Sequence, residues 1–256
     1  MDDFSELSGA ALVIGGTGGI GRAVVRLLAQ RGSDVALTWR SHETAAQRIA
    51  DEVSSYGGRV SAHQVDVSTP EACGGAVADV VAAHGGIHTL VHAAGPHVPM
   101  SHLSKVDPAM MAEQLSDDAG AFFNMVSAAL PELREAEGSI VAITTAATTR
   151  FPVRDGLSSA PKAAVEALVR ALAVEEGRYG VRANCVGPGM LTDGMAERLV
   201  SSGDLDDRAL EVARTHIPLR RFGIAHDIAE AVCFLASPRA GFVSGQKLDV
   251  DGGYGA

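Results

Sequence analysis

Lys162 stands among small and apolar residues in "GLSSAPKAAVEAL" (156–168), with hydroxyls at Ser158 and Ser159 one turn before it and Glu166 one turn after it. At i, i+4 spacing Lys162 and Glu166 would make an ordinary surface pair. An amine beside hydroxyls would equally suit a site. A second stretch with chemical potential is "GGTGGIG", Gly15 to Gly21, directly after the apolar run "ALVI". Glycines at such a point let the backbone approach a pyrophosphate, whose charge sits at the positive N-terminal end of the next helix. A tight strand-to-helix turn is the plainer reading of the same residues. Arg40 and Ser41 follow Trp39 where another apolar run, "DVALTW", ends. A carboxylate there would take ribose hydroxyls, whereas an arginine suits a phosphate by charge and bidentate geometry. His92, His97 and His102 recur every five residues. That spacing does not suit a helical metal pair and no cysteine or carboxylate ligand accompanies it, so no metal site is expected.

The elements that must hold these residues alternate regularly. "ALVIGG", "DVALTW", "VSAHQV", "IHTLVHAAG", "GSIVAITT" and "VRANCV" read as strands. Between them lie helical stretches such as "GIGRAVVRLLAQRG", "ETAAQRIADEVSSYGG" and "TPEACGGAVADVVAAHGG", several closed by glycine, and a helix is expected from about Ser159 to Tyr179. Strand–helix alternation predicts an α/β fold: a doubly wound, Rossmann-type parallel sheet with helices on both faces, in a single domain over 1–256. Ligands bind such sheets beyond the C-terminal strand ends, where the glycine turn falls. The charged stretch "LTDGMAERLVSSGDLDDRALEVARTHIP" lacks a strand pattern, and we expect a substrate-side lid at about 190–217.

Of the 256 residues 46% are hydrophobic, which is enough for a large core, and the formal net charge is −10. That charge argues against a nucleic-acid partner and against charge-driven membrane binding. Cys73, Cys185 and Cys233 are far apart in apolar runs and read as reduced core thiols. "MDDFSELSG" has no apolar signal core, and no apolar run approaches a membrane span. A soluble, cytoplasmic protein is expected.

The spacing Gly15, Gly19, Gly21 resembles that of the short-chain dehydrogenase/reductase family. Other signatures follow in order: Asp66-Val67 after the third strand, "HAAG" (His92 to Gly95), and "RANCVGPGMLT" with Pro188, Gly189 and Thr192. The C-terminal stretch from "IPLRRFG" to "DVDGGY" is also similar, so the resemblance spans about 9–254. It implies a dinucleotide held by Gly15, Thr17, Gly19, Ile20, Gly21, Asp66, Val67, Ala94, Gly95, Lys162, Pro188, Gly189 and Thr192. With Arg40 and Ser41 at the second strand end, the expected cofactor is NADP(H).

The family's catalytic pattern is Y-x-x-x-K, with a serine thirteen residues before the tyrosine and an asparagine one helix earlier. The resemblance puts Lys162 at the lysine, which holds the nicotinamide ribose, and Thr145 at the serine. It puts Asp117 at the asparagine, counted in "SDDAGAFF" against N-x-x-G-x-F, and Ser158 at the tyrosine. No tyrosine lies between Tyr56 and Tyr179. Some enoyl reductases of the family carry their tyrosine seven before the lysine, which here is Asp155. The dienoyl-CoA reductases carry one two residues after T-T, which here is Ala147. His97, in the loop expected to border the nicotinamide, is a candidate acid or an exposed loop histidine.

A general acid contributes ~10²- to 10⁴-fold in rate. Its loss costs less when hydride adds to a conjugated C=C bond, because the charge developing on the carbonyl oxygen is stabilised by hydrogen bonds and the carbon proton can follow later. The leading expectation is NADP(H)-dependent C=C reduction of an enoyl thioester or related small-molecule conjugated carbonyl. The alternatives are a ketone reductase with another acid, a non-redox enzyme on this fold, and an inactive partner subunit. The family's habit of pairing, together with the apolar stripe of "AAVEALVRALAV", leads us to expect a homotetramer.

Overall fold

The computed structural model describes residues 2–96, 98–193 and 207–256. Seven strands form one parallel sheet: β1 (Ala10–Ile14), β2 (Asp34–Trp39), β3 (Val60–Gln64), β4 (Ile87–His92), β5 (Ser139–Ile143), β6 (Arg182–Pro188) and β7 (Lys247–Val250), in the order β3-β2-β1-β4-β5-β6-β7. This is the doubly wound architecture expected of the sequence. The winding direction reverses between β1 and β4, so connections leave these neighbours toward opposite sides and open a crevice at their C-terminal ends.

Alternate side chains of β1 point to opposite faces of the sheet. Ala11 and Val13 pack with α1 (Gly19–Gln30), α2 (Glu43–Ser54) and the helix Ala225–Ala236 through Val24, Leu28, Ile49, Val53, Ile228 and Val232. Leu12 and Ile14 pack on the other side against α3 (Pro70–His84), α5 (Ala121–Glu135) and α6 (Gly156–Glu176), through Val80, Phe122, Met125, Val165 and Val169. Each large aliphatic side chain buried in these layers contributes about 1.5–3 kcal/mol. The three cysteines are buried and free, and burial raises the thiols of Cys185 and Cys233 to about 12.

Two features position the site. A short helix, α4 (Pro108–Leu115), runs into α5 through a π-helical turn at Ser116–Gly120. And α6 begins at Gly156, three residues before the expected start, with its main-chain hydrogen bonds opening on the Asp155 carbonyl, which accepts from Ser158 N at 3.0 Å and Ser159 N at 2.8 Å. Of the expected lid, 194–206 lies outside the described residues; beyond it α7 (Asp207–Thr215) precedes α8 (Ala225–Ala236). No helix among the described residues is long and apolar enough to cross a membrane.

Candidate active site

The glycine turn joins β1 to α1 beside the end of β4. Gly15 has φ +76°, and a Cβ there would lie 2.8 Å from the Ala94 nitrogen. A Cβ on Gly21 would fall 2.2 Å from the Gly15 carbonyl oxygen. Side chains are therefore excluded where the backbone folds on itself. Thr38 fastens the turn, taking Gly16 N on its carbonyl at 3.0 Å and Gly15 N on its hydroxyl at 3.1 Å. Gly18 precedes α1 without a side-chain cap, and the first turn carries no acidic residue. Uncapped N–H groups with no competing carboxylate fit a pyrophosphate. Thr17, Gly19 and Ile20, all half-buried, lie in this turn.

The flanking candidates sit at neighbouring strand ends. Arg40 and Ser41 are exposed beyond β2, and the Arg40 carbonyl accepts Gln64 Nε2 at 2.9 Å. Asp66, beyond β3, accepts Ser68 Oγ at 2.7 Å and Ser68 N at 3.0 Å; these bonds hold its carboxyl below the usual carboxylate range. Asn124 of α5 donates to the Val67 carbonyl at 3.1 Å. Pro188 and Gly189 close β6, and a Cβ on Gly189 would meet Asp251 Cα at 2.6 Å. Thr192 N donates to the Gly223 carbonyl at 2.9 Å. These residues lie at or beyond the C-terminal ends of β1, β2, β3 and β6, the edge at which such sheets bind ligands.

Lys162 reaches the same edge. Its Nζ would lie 3.4 Å from a Cβ on Gly95, and it donates to Asp118 Oδ1 at 2.8 Å. The side chains of this pair are 15% and 4% exposed. Asp117, counted from Gly120 as the asparagine equivalent, is instead exposed. Asp118, on the π-helical turn, is buried instead. The sequence carries a signal for this: Asp118 continues the buried stripe Phe122, Met125, Val126, Ala129, Leu133 at helical spacing. Behind the pair lies His92, 1% exposed, its ring 5.4 Å from that of Phe122 in edge-on contact. Burial, assisted by the Lys162 charge, lowers His92 to about 3, so it is neutral.

Glu166 does not pair with Lys162 in the manner of a surface salt bridge. It is buried, accepts Thr148 Oγ1 at 2.7 Å and lies 3.3 Å from Lys247 Nζ of β7. Ser158 is half-buried on α6. Thr145, at the end of β5, accepts Ala147 N on its hydroxyl oxygen at 3.1 Å, leaving the hydroxyl proton free to donate. His97 lies outside the described residues.

A doubly wound sheet with a glycine turn at its switch point and a lysine facing that crevice defines a dinucleotide-binding site. The chain matches the family model described as Enoyl-(Acyl carrier protein) reductase over residues 15–255. It is 32% identical over 251 residues to the 3-oxoacyl-(acyl-carrier-protein) reductase FabG of Staphylococcus epidermidis, covering 95% of this chain and 98% of that protein. Its fold is similar to a short chain dehydrogenase from Burkholderia cenocepacia crystallised with NADP, at 31% identity and TM-score 0.87, covering 98% of this chain and 99% of that one. A blue fluorescent protein from a metagenomic library, crystallised with NADPH, is 30% identical with TM-score 0.88, covering 98% and 100%. The chain belongs to the short-chain dehydrogenase/reductase family, whose members are oxidoreductases that bind nicotinamide dinucleotides.

The buried pair has a measurable consequence. Lys162→Met leaves Asp118 charged and uncompensated, and should cost about 3–5 kcal/mol in urea unfolding. Adding Asp118→Asn should recover at least half of that loss. Equal or additive losses in the double variant would contradict a coupled buried pair.

Proposed function

We propose that this chain is an NADPH-dependent reductase acting on the C=C bond of a conjugated carbonyl, with an enoyl thioester as the substrate class, through a site whose tyrosine position is held by Ser158. The observation that carries the reading is the pairing of Lys162. The residue four before it is a serine, and its ammonium is already paired with Asp118 at 2.8 Å. No phenol shares the face with it, and part of its field is spent on a carboxylate.

A nicotinamide dinucleotide bound in the crevice would supply hydride. Lys162 holds the adjoining ribose hydroxyls with N–H donors not used by Asp118. Ser158 and Thr145 would donate hydrogen bonds to the substrate carbonyl oxygen, where enolate charge develops when hydride adds to the β-carbon. A serine hydroxyl is too weak an acid to protonate an alkoxide promptly, so a simple ketone gains less from this site. Such a ketone develops charge on an oxygen that needs its proton during the step.

Arg40 supports NADPH as the dinucleotide. Its guanidinium is exposed beyond β2, and the neighbours crystallised with NADP and NADPH share this fold. Arg40→Ala should weaken NADPH binding about 10-fold or more with little change for NADH, read by fluorescence titration. Equal weakening of both dinucleotides would remove Arg40 from phosphate recognition.

The reaction is tested with NADPH consumption across enoyl thioesters, oxoacyl thioesters and simple ketones. Enoyl thioesters should be turned over fastest. Ser158→Tyr, which restores a phenol near a cationic amine, should raise ketone reduction about 10-fold or more. Faster turnover of ketones by the parent, or no gain on any ketone in the variant, would count against the reading.

A further inference from the structure

We infer that the groove beside the first turn of α6 binds an oxyanion carried on an apolar chain, with Arg154 as the partner of the anion. The inference rests on the reductase reading above for the rest of the ligand. It narrows the substrate class to a conjugated thioester that also bears a carboxylate or a phosphate.

The groove has a volume of about 270 Å³. His102 and Leu103, from the segment after β4, line one wall; Phe151, Arg154 and Gly156, from the segment between β5 and α6, line the other. The same stretches of chain meet again further along, where a Cβ on Gly95 would lie 3.4 Å from Lys162 Nζ. Ser158 follows Gly156 by two residues, about 3 Å of helix rise, and Lys162 by six, about 9 Å. A ligand whose reacting carbonyl lies at Ser158 therefore has the groove within reach of its remaining chain.

The walls carry two kinds of chemistry. Leu103 and Phe151 are each more than half exposed, and apolar side chains in a concavity suit a hydrocarbon chain. Arg154 lines the same groove, and among the described residues no hydrogen bond or ion pair takes up its guanidinium. Its backbone is held in place. Arg154 has φ +72°, a left-handed conformation that side chains disfavour, and its carbonyl accepts Ser101 N at 3.1 Å, which ties the two walls together at the arginine. Backbone held in such a conformation is a recurring feature of ligand clamps. Asp107, beyond the His102 wall, is engaged in capping α4, where it accepts Ala109 N at 2.8 Å.

With a net charge of −10 the chain as a whole repels anions, so an unpaired arginine in an apolar groove is a local exception that favours one. A guanidinium takes a carboxylate or a phosphate by two parallel hydrogen bonds, and the His102 ring can add a third donor from the opposite wall. A carboxylate would come from the far end of a dicarboxylic acyl chain. A phosphate would come from the carrier arm of the thioester.

The test is calorimetric titration of the full-length protein, with and without NADPH, using octanoate, octyl phosphate and octanol. At least one anion should bind the parent about 10-fold or more tighter than octanol, and the tighter of the two identifies the source of the charge. Arg154→Gln should abolish that margin and Arg154→Lys should keep part of it. Phe151→Ser should weaken all three ligands about 5-fold or more and leave the margin in place. Octanol binding as tightly as both anions, binding of none of the three, or an unchanged margin in Arg154→Gln would overturn the inference. No turnover is read in these titrations. A parent that shows the Arg154-dependent margin but reduces no enoyl thioester would overturn the C=C reading and leave the anion site standing.

Discussion

Gly15 and Ala94 meet where β1 and β4 end, so closely that a single added carbon would lie 2.8 Å from a backbone nitrogen. This contact sits between the two strands at which the winding reverses. Both connections must leave the sheet there, one into α1 and one into the segment that reaches α6. The crevice between them exists because neither chain carries bulk at the crossing. Every candidate binding residue is placed by that geometry. The glycine turn points its uncapped N–H groups into the crevice, Arg40 and Asp66 mark one flank, and Lys162 marks the other.

On that second flank electrostatics take over from packing. Lys162 and Asp118, the latter on the π-helical turn, form a nearly dry ion pair 2.8 Å apart. Taking two charges out of water is costly, and such a pair persists only where its geometry is good. His92 adds no charge, being held neutral by burial. The Lys162 amine is thus paired with a buried carboxylate and held close to Gly95.

Much of this was legible in the sequence because periodicity and glycine punctuation report local structure directly. The strand–helix alternation gave the doubly wound sheet, and Gly15, Gly19 and Gly21 marked the turn. What could not be read was the side-chain pairing. Counting back from Gly120 along the family's motif led to Asp117, whereas helical spacing back from Phe122 puts Asp118 on the buried face. The i, i+4 pairing of Lys162 with Glu166 failed for a different reason. Both residues find stronger partners far away in sequence, Asp118 and Lys247 respectively, and helical spacing carries no knowledge of them.

The central claim is that hydride arrives at a carbon–carbon double bond. The most direct measurement uses NADPH deuterated at both C4 positions, one conjugated enoyl thioester, and NMR of the isolated product. The account predicts deuterium at the β-carbon of a saturated thioester. Deuterium on a carbinol carbon, or its retention in NADPH with the substrate unchanged, would contradict it.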